Sequence, residues 1–587
     1  MLRTFAAVLI TLAVTVRGAV IGQTAKSNGN YVLHEERTSA NAIANRWRQG
    51  NRVNSESIVP VRIGLRQNNI EMGNQRLFEI SHPASPDYKD TVQAVRDWLV
   101  EAGIDPRLIA HRDNRGWLAA DIPAKDVERL FRMELREYEN PRNGHLRIGC
   151  ESYHLPDHLT EHINYLTPGF KFSAPLKKGG KKRPHWQFVP HGPWNPPPHA
   201  ASLPEDLKEC GVNITPTCWR ALCGIPPATL DQPENAPGVY EQGSYYAAAD
   251  IEEYFATYQP RVPQGTQPVL KSIDGGYAPD ALDGSYCTYS AYGITGNSPG
   301  IDPTDPDNHT DGYKVQLMCG TYKPARVITA SYGESETNFP KDYVLRQCNE
   351  FMKLGLQGHT VMVSSSDFGV GGFPDDPDPN GCMSGCGQNS TIYNPDYPAG
   401  YPQSTMQLSL YAPGRSIAYK FFESSSGFSS DFPTAWYQKA DVAEYFANHD
   451  PGHPYYHVNA DKKNTGIDGC IYNRGGCGYP DVSANSAFMY AFVGGVENHW
   501  FGTSLASPFW ASVITLINQQ RTLHGKGPVG FIYPTLYENP WVLNDIKNGS
   551  NPNCYSSGFT AVKGWDPITG LGTPNYPRML ELFLSLP

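Results

Sequence analysis

Phe501-Gly-Thr-Ser-Leu-Ala-Ser-Pro508, followed at once by Phe509-Trp-Ala-Ser-Val-Ile-Thr-Leu-Ile517, is the stretch on which the reading of the chain turns. Small residues up to Ser504 allow a tight turn, and Pro508 suits a first helical turn, where its missing N–H is not needed. Phe509, Val513, Leu516 and Ile517 recur three and four apart, which predicts a buried helix. A serine just ahead of such a helix meets backbone N–H groups without partners and the positive end of the helix dipole, where developing negative charge is favoured. Ser504 is therefore a candidate nucleophile. An arbitrary Gly-Thr-Ser at a helix start reads first as a Ser/Thr cap, so the longer pattern has to carry the assignment.

Gly502-Thr-Ser-Leu-Ala-Ser-Pro508 resembles the nucleophile segment of two peptidase families, the subtilisins and the sedolisins. A subtilisin requires a histidine base from an His-Gly-Thr-His type motif, and none of the 17 histidines stands in one. Gly564-Trp-Asp-Pro-Ile-Thr-Gly-Leu-Gly-Thr-Pro574 is similar to the C-terminal segment of sedolisins, the serine-carboxyl peptidases of family S53. The resemblance implies an α/β fold with a subtilisin-like, mostly parallel sheet and helices on both faces, preceded by an α/β propeptide domain. It further implies a fungal tripeptidyl-peptidase type of activity, releasing tripeptides from polypeptide N-termini at acidic pH outside the cell.

The chain has 587 residues, too many for one core, and only 18% of them are charged. A net charge of −10 argues against nucleic acid as a partner. Met1–Ala19 combines a basic Arg3, an apolar run and a small-residue exit, which reads as a cleaved secretory signal too short to span a membrane. No other stretch approaches the length of a membrane span. In a secreted chain, the 12 cysteines imply disulfides, whose pairing the spacing does not reveal. Resemblance to fungal sedolisins favours Cys287 with Cys319. Cys382 and Cys386 stand four apart without nearby histidines, which argues against a metal there. Asn213, Asn308, Asn389 and Asn548 lie in glycosylation sequons.

Residues 20–172 read as the propeptide domain, its α/β pattern starting near residue 31. Val59–Arg66 alternates like a strand; Asp90–Ala102 is amphipathic through Val92, Val95, Trp98 and Leu99; Asp126–Leu135 offers a second helix through Val127, Leu130 and Phe131. The segment resembles sedolisin propeptides, which cover the active site and act as intramolecular inhibitors. Residues 173–204, with Lys177-Lys-Gly-Gly-Lys-Lys-Arg183 and the proline-dense 190–198, form a linker suited to a maturation cleavage.

Residues 205–587 resemble a sedolisin catalytic domain. Val269–Gly276, Arg326–Gly333 and Thr360–Ser364 read as buried strands, with a helix tail at Phe351–Gly358, and this alternation predicts a parallel sheet. Asp367 ends the last strand, where catalytic groups of parallel sheets gather. An aspartate capping the next turn is the plain alternative. By resemblance Asp367 supports the oxyanion, in a segment where the usual Ser-Gly-Asp has become Ser-Ser-Asp. A carboxyl serves there only while protonated, which burial or acid favours. By the same resemblance, Asp545, Ile546, Gly564 and Asp566 match calcium-binding positions. Ile546 and Gly564 can offer only carbonyl oxygens, which calcium accepts; position 562, often small in the family, is Val562.

One part is missing. Sedolisins replace the histidine with a glutamate supported by an aspartate four residues on, neighbours on one helix face. After Ile273-Asp-Gly-Gly276 the chain runs directly into Tyr277-Ala-Pro-Asp-Ala-Leu-Asp-Gly-Ser-Tyr-Cys287, and its only Glu-x-x-x-Asp is Glu101/Asp105 in the propeptide. Asp307/Asp311 and Asp280/Asp283 are substitutes on spacing alone. Tyr397-Pro-Ala-Gly-Tyr-Pro402 and Gln403–Tyr419 also depart from the family pattern, which resumes at Ser424–Ser429 and Gly478–Asn485. A catalytically impaired homologue that binds peptides is therefore the competing expectation.

Overall fold

The structure is a computed structural model. It describes residues 30–586 apart from 37–47, 66–86, 112–116, 140–145, 170–206, 209, 211–212, 228–231, 241–245, 272–321, 340, 375–377, 386–387, 402–404, 411–422 and 458–470. The signal segment, the basic linker, Cys287, Cys319, Asn308 and all four substitute aspartates lie outside the described residues.

Alternation at Val59, Val61 and Ile63 makes strand β1 (Ile58–Leu65), whose inward side chains are fully buried. Helix α1 (Asp87–Glu101) lays Val95, Trp98 and Leu99 into the same core. Strands β2 (Ile109–His111) and β3 (Trp117–Pro123), helix α2 (Ala124–Phe131) and strand β4 (Ile163–Thr167) complete the unit. The sheet is antiparallel in the order β2-β3-β1-β4. Helix α2 stops at Phe131, where Arg132 turns left-handed at φ 45°, four residues short of the periodic reading. Leu135 is still buried, but as the lead into a strand at Arg136–Glu139. Periodicity alone does not distinguish a buried helical residue from a buried strand entry.

The second core belongs to residues beyond 205. Helix α3 (Pro216–Cys223) is capped by Thr215, and strand β5 (Gly238–Tyr240) and helix α4 (Ala248–Tyr258) follow. Strand β6 (Val327–Ala330), helix α5 (Lys341–Leu356), strand β7 (Thr360–Ser364), strand β8 (Thr405–Leu410) and strand β9 (Val482–Asn485) come next. These five strands form one parallel sheet in the order β5-β6-β7-β8-β9. All five residues of β7 are buried; since successive side chains point to opposite faces, both faces are covered there. A hairpin, β10 (Met489–Val493) with β11 (Val496–Trp500), leads into helix α6 (Thr503–Leu523), which packs on β6, β7, β8 and β9. Helix α7 (Tyr576–Ser585) closes the chain against α6. Trp510, completely buried, anchors α6 by donating its indole N–H to the Ser483 carbonyl at 2.9 Å.

Of the strand expected at Val269–Gly276, residues 272–276 lie outside the described residues. Residues 269–271 are irregular, with Val269 78% and Leu270 53% exposed. The sheet position beside β6 is taken by β5. Conversely, Thr405–Leu410, in the stretch unlike the family pattern, supplies β8, between β7 and β9.

Candidate active site

Gly502 holds φ 143°, a conformation only glycine adopts cheaply, and this lets α6 begin abruptly at Thr503. Ser504 is thus the second residue of the helix, in the first turn, whose N–H groups have no helical carbonyl four residues back. Pro508 falls in the second turn rather than the first, so its missing N–H does matter there.

Asp367 follows the carboxyl end of β7, in a loop zipped to residues 423–425. Its carbonyl accepts the Glu423 N–H at 3.1 Å, Gly369 N–H donates to the Glu423 carbonyl at 2.7 Å, and Ser425 N–H donates to the Ser366 carbonyl at 2.9 Å. Ser425 Oγ accepts the Phe368 N–H at 2.8 Å. Ser366, which stands where the family usually has glycine, sits at φ 75°, a left-handed conformation costing a side-chain-bearing residue about 1 kcal/mol.

The fold brings the two sequence candidates together through Thr503. Asp367 Oδ1 accepts both the Thr503 N–H at 2.8 Å and the Thr503 hydroxyl at 2.9 Å. Burial pushes the Asp367 carboxyl up to about 6, against the pull of those two donors. Ser504 Oγ lies 3.5 Å from the Ser331 carbonyl, its one hydrogen-bond partner among the described residues. In return Ser331 Oγ donates to the Ser504 carbonyl at 2.9 Å. Ser331 follows the end of β6 just as Asp367 follows β7, and that parallel is the signal by which the sequence could have revealed it.

Among the described residues, Asp367 is the one carboxylate that hydrogen-bonds Thr503 or Ser504. Glu423 meets Asp367 through its backbone only, and burial holds its carboxyl up to about 7. Glu101 and Asp105 do not share a helix face: α1 ends at Glu101, while Asp105 caps Pro106–Leu108 and binds Arg107.

Of the four residues matched to calcium positions, Ile546 and Asp566 meet at Thr569, and Asp545 meets Gly564. Asp545 Oδ2 accepts the Gly564 N–H at 3.2 Å; Thr569 Oγ1 lies 3.4 Å from the Ile546 carbonyl and donates to Asp566 Oδ2 at 2.8 Å. Asp566 is fully buried, and its oxygens also accept the N–H groups of Ile568, Thr569 and Val562. The donor set is oxygen only, with two carboxylates, which fits a hard cation; no cluster of three or more His, Cys, Asp or Glu side chains occurs among the described residues.

Two disulfides are formed among the described residues, Cys210–Cys218 and Cys382–Cys554. The second ties the loop following Asp367 to the segment that leads to Asp566. Of the sequons, Asn389 and Asn548 are exposed, while Asn213 is half-buried with its side-chain oxygen 3.0 Å from His499 Nε2.

A model of the pro-kumamolisin activation domain matches residues 45–172. Aorsin of Aspergillus oryzae is 38% identical across 97% of this chain and 98% of aorsin. Tripeptidyl-peptidase sed1 of Aspergillus fumigatus is 37% identical across 95% of this chain and 96% of its own. The match with aorsin runs over 656 aligned positions and takes in 97% of the 587 residues here, about 569, so about 87 of those positions have no counterpart in this chain. Among solved structures, a Pseudomonas sedolisin (serine-carboxyl proteinase) is 21% identical over 44% of this chain and 66% of that one, with a TM-score of 0.33. A relative 38% identical along nearly the whole of both chains, joined to an activation domain of the matching kind, shows the family: this chain belongs to the sedolisins, the serine-carboxyl peptidases that include the fungal tripeptidyl-peptidases.

Proposed function

We propose that the chain is a secreted tripeptidyl-peptidase that works at acidic pH on polypeptides and is held by its own propeptide until maturation. The observation that carries this reading is the tie from Asp367 through Thr503 to the turn bearing Ser504. Given a base to take its proton, the role that a glutamate fills in sedolisins, Ser504 Oγ attacks the peptide carbonyl, and the oxygen that gains negative charge is met by the proton of Asp367. With Oδ1 occupied by two donors, that proton belongs on Oδ2. No helix among the described residues is long and apolar enough to cross a membrane. A substrate with a free N-terminus and a tripeptide leaving segment, set beside an N-terminally blocked protein at about pH 3–6, tests the assignment. Release of tripeptides from the free N-terminus is expected; cleavage of only the blocked substrate would make the chain an endopeptidase.

A second reading, a peptide-binding homologue with little hydrolysis, is favoured by one observation: no base meets Ser504 among the described residues.

Calcium belongs to the proposal. Asp545 and Asp566 supply charge, and the Ile546 and Gly564 carbonyls supply neutral oxygens; when bound, the cation would offset the cost of the buried Asp566 carboxylate. A ligand at 100 times its dissociation constant stabilises by about 2.7 kcal/mol. Chelation is expected to lower the melting temperature of the wild type and to leave Asp566→Ala, or the more exposed Asp545→Ala, unchanged. An equal response in wild type and variants removes the site.

A further inference from the structure

The carbonyl of Ser504 is a helical acceptor whose ordinary partner, four residues on, is Pro508, which has no N–H. The proline ring also crowds that carbonyl and tilts it out of the helix. Ser331 Oγ stands on the other side and donates to it at 2.9 Å, while the Ser331 carbonyl lies 3.5 Å from Ser504 Oγ. Two residues earlier on the same strand, Thr329 Oγ1 lies 2.6 Å from Ser507 Oγ in the buried interior. The end of β6 therefore grips the first two turns of α6, at Ser504 and at Ser507.

We propose that Ser331 is a positioning residue for the nucleophile: its hydroxyl replaces the helical N–H that Pro508 cannot give, and so fixes the turn that carries Ser504 Oγ. The proposal rests on the reading of Ser504 as nucleophile. It explains why a proline is tolerated in the second turn of a helix whose first turn must be held still. It also makes the need for Ser331 conditional on Pro508. An alanine at position 508 restores a backbone donor, after which the Ser331 hydroxyl has no unmet acceptor to serve.

The test is a cycle of wild type, Ser331→Ala, Pro508→Ala and the double variant in the full chain, with Ser331→Thr as the conservative control. The readouts are melting temperature and affinity for a peptide aldehyde, which adds to a serine hydroxyl as a hemiacetal. Ser331→Ala is expected to bind the aldehyde about tenfold more weakly, the worth of one hydrogen bond, and to melt a few degrees lower. The double variant and Ser331→Thr are expected to recover both. A double variant as impaired as Ser331→Ala, or a Ser331→Ala indistinguishable from wild type, overturns the proposal. Should Ser331→Ala not fold, a folded double variant supports the proposal and an unfolded one overturns it. If Ser504→Ala binds the aldehyde as well as wild type, the nucleophile reading fails, while the melting temperatures still judge the Ser331–Pro508 pair.

Discussion

The purified chain is expected to hydrolyse a free N-terminal peptide at about pH 4 far more slowly than a relative with an intact acid pair. General acid–base help is worth roughly 10²–10⁴-fold, and removing part of a unit whose members act together costs at least that much. Ser504 and Asp367 are in place, yet the Ser504 hydroxyl faces a carbonyl, which can accept its hydrogen bond but not keep its proton. The consequence reaches the propeptide. Without self-cleavage, residues 20–200 are expected to stay attached. Inserting a segment with Glu-x-x-x-Asp after Gly276 is expected to restore both hydrolysis and maturation. Reading the transcript across codons 270–290 shows whether such a block is encoded naturally. Strong hydrolysis by the unaltered chain that vanishes in Ser504→Ala would falsify the expectation.

Acid is expected to stabilise this protein as well as to serve its chemistry. Burial raises Asp367 to about 6, Glu423 and Asp481 to about 7, and Glu336, with Asp431 nearby, to about 8. Each holds its proton more tightly folded than unfolded, so its contribution is complete below about pH 4 and is lost as pH rises through its folded value. Hydrogen bonds lower Asp105 and Asp450, which act in the opposite sense, but both lie at the surface, where such effects are small. The melting temperature is therefore expected to fall between about pH 5 and pH 8; calorimetry showing it rise over that range refutes the argument. For Asp367, moving from the ordinary 3.8 to about 6 disfavours the charged form by about 3 kcal/mol. Below about pH 6 it can donate to an oxyanion, and above it the carboxylate repels one. Aldehyde affinity is expected to drop through pH 6 in wild type. In Asp367→Asn, whose amide donates at every pH, that drop is expected to vanish. Asp367→Ala is expected to lose roughly 10²–10³-fold at low pH, the worth of one oxyanion donor. A wild-type affinity flat from pH 4 to 8 would remove Asp367 from the oxyanion role.

Local pattern determined a good part of this. The 3.6-residue period after Pro508 fixed α6, the apolar runs at Arg326–Gly333 and Thr360–Ser364 fixed β6 and β7, and Asp367 was legible from its place at a strand end. That no Glu-x-x-x-Asp follows Gly276 was legible too, because it is a fact about residues and not about their arrangement. Where local pattern misled, a backbone turn decided: Leu135 enters a strand because α2 ends in a left-handed turn at Arg132. The spacing of Cys382 could not name Cys554, 172 residues away, as its partner. Sequence alone named Ser504 and Asp367 as candidates. Only the tertiary structure made them one site, since Thr503 reaches Asp367 across 136 residues and Ser331 reaches the Ser504 carbonyl across 173; hydrogen bonds act over about 3 Å of space, whatever the distance along the chain.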